Sequence, residues 1–402
     1  MKNTEIFKIK LSYVELREKI REFSKNAGQE ELFKFKFKEV SKDLYGLLEN
    51  SSFSKETIRT FAEDYGLHVK FHSVKSFTVA YLQKFKSISN KSYVSAGDVP
   101  WKMIINKEIL KNGKLIPLHA QFYPTHTCNA NCPWCSCKKD DREVVMPIEE
   151  IYELLEFFHE RGLKTISITG GGEPTTHPHF EKILKKCFEL RIQVGLVSNG
   201  ILLSQKRFDP DLLNRITWSR LSIFNTEGNY DTLIPIKFME HLHAVDNGIS
   251  FVISKNANLT LAEKICNITK ETSNITHTRF VTDILDPSTE TRFNLFKSKL
   301  QNISKKVLWQ NRAKYTHGSK LCRMPFVKPV IDANGNLFPC CGTQYAIKGK
   351  ERANPSELNL GSWRTFDSLK IFSGSICDKC YYDVQNKALD TLTKQFAHKD
   401  FI

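Results

Sequence analysis

The sequence predicts an α/β fold: a partial barrel of six strand–helix units, (β/α)6, between a helical N-terminal segment and a cysteine-rich C-terminal one. Three observations lead there. Six short β-rich runs recur through the middle of the chain, at residues 118–125, 164–170, 193–199, 218–224, 248–254 and 277–284. The stretches between them place apolar residues at i, i+3, i+4 and i+7, as in 146–162, the spacing of a helix with one buried face. The eleven cysteines are bunched, four between 128 and 137 and five between 322 and 380.

Near-continuous apolar strands alternating with amphipathic helices make parallel βαβ units, because both faces of such a sheet are covered. In a parallel barrel the loops after the strands converge at one end, so functional side chains are expected at the C-terminal strand ends. Ahead of the barrel, residues 1–112 read as a helical accessory domain that could bind substrate. Helical patterns at 12–23 and 38–50 flank the run Lys-Phe-Lys-Phe-Lys at 34–38, and 54–85 loosely suggests two helices about a long turn. The barrel core is set at 113–290 and a cysteine-bearing domain at 291–402; residues 285–320 read as a polar Ser/Asn/Lys-rich bridge.

A chain of 402 residues with 41% hydrophobic and 11% aromatic content can bury more than one core. No window approaches the ~18 uninterrupted apolar residues of a membrane span. The charged N-terminus lacks the apolar run of a signal peptide, so the expected compartment is the cytoplasm, with no membrane partner. The net charge of +15 is uneven. Lys and Arg outnumber Asp and Glu by 22 to 14 in residues 1–114 and by 16 to 8 in 301–402, whereas 115–300 stands at 21 to 22. Basic flanks suit a polyanion such as nucleic acid, or solubility alone.

An odd cysteine count without a secretion signal suits metal better than a disulfide framework. Cys128, Cys132 and Cys135 directly follow the first strand at spacings of four and three. Thiolates so spaced can wrap three corners of a [4Fe-4S] cluster and leave the fourth iron open to a chelating substrate. With Cys137 as fourth ligand, a closed zinc site is the alternative. Further along, Thr169-Gly170-Gly171-Gly172-Glu173-Pro174 ends the second strand and Ser198-Asn199-Gly200 the third. Arg220 and Ser222 lie two apart on the fourth, hence on one face.

Cys-X3-Cys-X2-Cys with an aromatic before its last cysteine, followed in order by Gly-Gly-Glu and these strand ends, resembles the radical S-adenosylmethionine (SAM) superfamily over residues 118–284. The resemblance implies that Cys128, Cys132 and Cys135 hold a [4Fe-4S] cluster, which reductively cleaves SAM to methionine and a 5′-deoxyadenosyl radical. That radical abstracts a hydrogen atom from a substrate carbon. Gly171, Gly172 and Glu173 would then meet the SAM amino group and Ser198 and Asn199 its ribose. Arg220 and Ser222 would lie by its carboxylate, and Trp134, Val252 and Ile253 by adenine. Asn199 and Ser222 suit plain strand-end hydrogen bonding equally well. Cys137 has no counterpart in the motif, and Cys187 and Cys266, on predicted helices, are expected in the core.

The second cysteine group spaces differently. Cys322 is followed after seventeen residues by Cys340, with Gly335 between, and later by Cys377 and Cys380. Residues 328–341 read as a hairpin with an Asn-Gly turn. Four thiolates can close a cluster or a zinc ion alike. The pattern C-X12-G-X4-C with a later CxxC resembles the Twitch extension, the shortened relative of the SPASM domain. It implies one auxiliary [4Fe-4S] cluster on Cys322, Cys340, Cys377 and Cys380, with Cys341 as the competitor for Cys340. The expected reaction is a substrate oxidation or rearrangement, with a flavodoxin or ferredoxin-type electron donor. A nucleic-acid base or nucleotide is the expected substrate, on account of the basic flanks; a ribosomal peptide, or a sugar or cyclitol, is the alternative.

Overall fold

A computed structural model describes residues 109–135, 137, 141–205, 208–223, 233–239, 242, 246–286, 288–311, 318, 321–341, 347–348, 351–352, 358–377, 380 and 382–393. The helical reading of residues 1–112 falls, but for 109–112, outside the described residues. Residues between 115 and 383 form one compact unit, and 109–114 and 384–393 belong to another.

The first unit is built on a mostly parallel sheet. Its six central strands are β1 (His119–Phe122), β2 (Thr165–Ile168), β3 (Gln193–Ser198), β4 (Trp218–Ile223), β5 (Asp246–Ile253) and β6 (Ile275–Thr282), each parallel to the next. All six match runs read from the sequence. Between them lie α1 (Ile148–Glu160), α2 (Phe180–Glu189), two short helices α3 (Ile201–Ser204) and α4 (Pro210–Asn214), α5 (Leu233–Met239) and α6 (Leu259–Glu271). Alternation sorts each strand's side chains between two faces. Ala120, Phe122, Ile166, Ile168, Val194 and Leu196 pack with Ile151, Leu154, Leu155 and Phe158 of α1 and Ile183 and Leu184 of α2. Leu221, Ile223, Ile249, Phe251, Ile253 and Phe280 pack with Ile236 of α5 and Ala262 and Ile265 of α6. The alternate positions, among them His119, Ser167, Arg220, Ser222, Ser250 and Arg279, therefore line the opposite, inner face. His119 Nε2 and Ser167 Oγ bond there across β1 and β2 at 2.8 Å. Cys187 and Cys266 are both fully buried on the helix side.

The sheet runs past six strands. Residues 285–320, read as a polar bridge, supply α7 (Thr289–Leu300) and β7 (Val307–Gln310), which pairs parallel with β6. Their apolar anchors are few but well placed. Phe293, Phe296 and Leu300 bury one stripe of an otherwise polar helix, and Trp309 stacks on Phe280 with ring centroids 4.8 Å apart. At the other edge β8 (Val330–Ile331) pairs parallel with β1, and β9 (Leu337–Phe338) pairs antiparallel with β8. The Asn-Gly turn joins them as expected. Gly335 takes φ +75°, and Asp332 Oδ1 accepts from the backbone N–H groups of Asn334 and Asn336. Among the described residues no helix is long and apolar enough to cross a membrane.

Trp363 ties the C-terminal segment to the barrel. It is 2% exposed, packs edge-on against Phe157 of α1 at 5.1 Å, and donates its indole N–H to Glu150 at 3.2 Å. Arg364 beside it reaches Glu150 and Glu153 at 2.8 and 2.7 Å, and Arg161 grips Asp367 through two bonds of 2.9 and 2.6 Å. These exposed ion pairs contribute little, so the aromatic contact dominates. Trp363→Ala should therefore destabilise this unit by about 3–5 kcal/mol in urea melts, while Arg364→Ala should cost less than about 1 kcal/mol.

Candidate functional site

The loop that carries Cys128, Cys132 and Cys135 leaves the C-terminal end of β1 and is closed at its neck by backbone. His126 N bonds to Val144 O at 2.8 Å and Met146 N to Pro124 O at 3.0 Å, so residues 142–146 return antiparallel along 124–127. Thr125 and Thr127 stitch the same neck with their hydroxyls, to the carbonyls of Val144 at 3.1 Å and Arg142 at 2.9 Å. On its other side segment 125–127 meets the loop after β2. Gly172 N donates to Thr125 O at 3.1 Å and Glu173 N to Thr127 O at 2.8 Å. Three backbone lanes thus run side by side beneath the cysteines.

The glycines make this possible. A Cβ on Gly172 would stand 2.2 Å from Thr127 O, and one on Gly171 would stand 2.5 Å from the His126 ring. No side chain fits at either place.

Glu173 is 3% exposed and held by four donors of the chain. Oε1 accepts from Thr175 N at 3.1 Å, Thr175 Oγ1 at 2.6 Å and Ser198 Oγ at 2.7 Å; Oε2 accepts from Asn199 N at 2.7 Å. Burial pushes its pKa above the usual carboxylate value, and these bonds pull the other way. A carboxylate offers about four lone-pair sites, so Oε2 alone keeps room for another donor. Asn199 in turn donates Nδ2 to Asn129 Oδ1 at 2.7 Å, joining the end of β3 to the cysteine loop. Ser198 and Asn199 are thus strand-end hydrogen-bonding residues in this structure.

The thiols lie within electrostatic reach of one another. Burial raises Cys128, and burial with the neighbouring sulfurs pushes Cys132 up to about 12. Cys135 moves down to about 6, first because the Cys137 thiol donates to it and then through Arg142. Arg142 is a residue that sequence reading missed. Its Nη1 donates to the carbonyls of His126 and Gly171, both at 3.3 Å, and its Nη2 lies 3.9 Å from Cys135 Sγ. One guanidinium thereby pins all three lanes and faces the thiols. Its signal was slight: one of three basic residues, with Lys138 and Lys139, in the seven positions after Cys135. Cys137 is buried and also reaches Gly170 O at 3.8 Å. Among the described residues no three His, Cys, Asp or Glu side chains converge on a single ion; a cubane asks less, since each thiolate binds its own iron.

The remaining sites fall as follows. Trp134 sits half-buried in the turn closed by Cys135 N to Cys132 O at 3.1 Å. Arg220 and Ser222 face the inner side of β4, Arg220 with its guanidinium 5.8 Å from the Trp218 ring. Ile253 needs correction: it is fully buried in the helix-side core, and alternation leaves its neighbour Val252 for the inner face. In the second group, Cys322 pairs with Phe372 through a backbone bond of 2.7 Å, and Gly318 N bonds to Cys377 O at 2.9 Å. Burial and then Cys377 push Cys322 up to about 11; burial and then Cys322, Asp383 and Cys377 push Cys380 to about 12. Cys341 points its sulfur at the Tyr382 hydroxyl, 3.4 Å away.

Residues 122–224 match the family model described as the radical SAM superfamily. The chain is 24% identical over 176 residues to the antilisterial bacteriocin subtilosin biosynthesis protein AlbA of Bacillus subtilis, covering 44% of this chain and 38% of that protein. It is 30% identical over 122 residues to an S-adenosylmethionine-dependent nucleotide dehydratase of Flammeovirga pacifica, covering 29% and 41%. The chain thus spans about two fifths of each relative's length. Among solved structures, Streptococcus suis SuiB bound to precursor peptide SuiA aligns over 74% of both chains at 16% identity, with a TM-score of 0.46.

Removing the Glu173 carboxylate leaves two buried backbone donors, Thr175 N and Asn199 N, without their acceptor. At ~1–3 kcal/mol each, Glu173→Ala should lower the unfolding free energy by roughly 2–6 kcal/mol even without any ligand. A urea melt matching wild type would show that water replaces the carboxylate and that its structural role is small.

Proposed function

We propose that this chain is a radical SAM enzyme, one that cleaves SAM and oxidises or rearranges its substrate by hydrogen-atom abstraction; the match of residues 122–224 to the radical SAM superfamily model supports the reading. The observation that carries the reading is the cysteine loop on its three-lane base. Cys128, Cys132 and Cys135 stand together at a strand end with a cation facing them. This donor set fits a cluster held at three corners. When bound, such a cluster supplies one electron to SAM, and the adenosyl radical so released takes a hydrogen atom from carbon.

The chain's own residues bind and orient. The Gly171 and Gly172 carbonyls and Glu173 Oε2 receive the SAM ammonium, with Trp134 on adenine and Arg220 and Ser222 by the carboxylate. Arg142 offsets the negative charge of the thiolates and holds the loop after β2 against the cysteine loop. Cys322, Cys340, Cys377 and Cys380 hold an auxiliary [4Fe-4S] cluster. The engagement of Cys341 by Tyr382 supports Cys340 as the ligand of that pair. For substrate, the reading is a nucleic-acid base or nucleotide. The basic flanks support it, as do the likenesses to the nucleotide dehydratase and to GTP 3′,8-cyclases of 28–32% identity. A peptide substrate is the second reading, favoured by the wider alignment with AlbA.

Anaerobic reconstitution should load about eight irons per chain, two clusters of four, and dithionite should release 5′-deoxyadenosine from SAM. The triple variant Cys128/Cys132/Cys135→Ala should keep about half the iron and lose all SAM cleavage. One zinc in place of the remaining iron would refute the auxiliary cluster.

Arg142 has its own readout. Removing a positive charge beside an anionic cluster disfavours its reduction. Arg142→Met should therefore shift the midpoint potential of the SAM-site cluster, followed by EPR, to more negative values, and Arg142→Lys should shift it less. Equal potentials at equal iron content would leave Arg142 a purely structural clamp.

A further inference from the structure

The second thiol group has a cation beside it that belongs to no motif. Lys328 follows the helical turn Met324–Val327, between Cys322 and β8. Its backbone is fixed on both sides. Its N–H donates to Met324 O at 2.8 Å, and the next carbonyl, that of Pro329, accepts from Gln121 N of β1 at 2.9 Å. Its Nζ donates to Tyr382 Oη at 3.1 Å and stands 5.4 Å from the centre of the same ring. Lys328 is half-buried, and among the described residues no carboxylate pairs with it.

Tyr382 joins this cation to the thiols. The residue is 3% exposed and meets two of them. An ammonium only donates, so the Tyr382 oxygen accepts from Lys328. That bond polarises the hydroxyl and favours its O–H as the donor to Cys341 Sγ, 3.4 Å away. Burial, with the charges of Cys322, Asp383 and Cys377, pushes the Cys380 thiol up to about 12, against a hydrogen bond from the Tyr382 backbone N–H. Negative charge is therefore costly at this group, and Asp383 adds to the cost. Four thiolates around an iron–sulfur cubane carry net negative charge, and a half-buried cation one hydroxyl away offsets it. The donor set and Lys328 fit one another.

We propose that Lys328, held in place by Tyr382, tunes the auxiliary [4Fe-4S] cluster: its charge raises the reduction potential and makes the cluster the readier electron acceptor. The proposal rests on the reading of Cys322, Cys340, Cys377 and Cys380 as the ligands of that cluster. Reduction adds negative charge, and a fixed positive charge in a poorly solvated place favours the more negative state. Hydrogen bonds to the sulfurs also set the potential of such a cluster. Tyr382 therefore acts twice, through its N–H on Cys380 and by fixing the ammonium of Lys328. A site biased in this way suits oxidation of the substrate over rearrangement.

The test uses the full-length Cys128/Cys132/Cys135→Ala protein, which keeps only the auxiliary iron, and follows a redox titration by EPR. Lys328→Gln keeps a donor for Tyr382 but removes the charge. It should weaken reduction at least ten-fold, a shift of about 59 mV to more negative potential for one electron. Lys328→Met should shift at least as far, Lys328→Arg should retain most of the original potential, and Tyr382→Phe should move in the same direction as Lys328→Gln. Iron should stay at about four per chain throughout. With Cys128, Cys132 and Cys135 restored, Lys328→Gln should leave the potential of the SAM-site cluster where it was. Three results would overturn the proposal: an unchanged potential in Lys328→Gln at equal iron content, a shift in Lys328→Arg as large as in Lys328→Met, or an equal shift of the SAM-site cluster. Failure of the underlying reading shows separately, as Cys128/Cys132/Cys135→Ala protein that takes up no iron, or zinc instead, with Lys328 still in place.

Discussion

The close passage of two backbones beneath the cysteine loop is the constraint from which the rest of this site follows. Residues 125–127 and 171–173 approach so nearly that their N–H and C=O groups bond directly, and any Cβ at Gly171 or Gly172 would collide with the other lane. Because each lane continues a barrel strand, the contact fixes the exit of β1 against the exit of β2. The return segment 142–146 then locks on from the far side. The cysteines stand on three mutually bonded strands of chain instead of a free loop, and such a support holds a geometry that a mobile loop would not.

Electrostatics is arranged around that base in two steps. Glu173 is buried and held by four donors from the chain, so its charge is balanced locally by hydrogen bonds. Arg142 sits by the thiols, where repulsion among sulfurs opposes their ionisation, and it eases that repulsion while bridging His126 O and Gly171 O. One carboxylate thus organises the ends of β2 and β3, and one guanidinium organises the end of β1. Both do so through backbone groups, which ties the conformation of the site to its charge.

Much of this was legible in advance because the signals are local. Strand–helix alternation marked all six central strands, and the hairpin at 328–341 announced itself through Asn334-Gly335. Cysteine spacing marked both thiol groups. Other features were hidden by their sequence separation. The carbonyl partners of Arg142 lie 16 and 29 residues away, so nothing near it in the chain distinguishes it from a surface arginine. Helix α7 and strand β7 bury only a few aromatic residues in a polar stretch, too sparse a pattern to stand out before Phe280 was there to pack against.

The amino-acid sequence by itself determined the fold class, the order of the strands and which residue types reach the strand ends, since these follow from periodicity, turn chemistry and spacing along the chain. Tertiary structure decided what each of those residues does. Gly172 makes room for a neighbouring backbone and Gly171 for the His126 ring, Glu173 spends four bonds on its own fold, and Ile253 belongs to the helix-side core while Val252 takes the inner face. The same holds for Arg220 and Arg279, far apart in sequence and brought to one lumen by parallel register. The physical reason is common to all of them: a side chain's role is set by the face it occupies and the partners that meet it there, and those partners come from other strands.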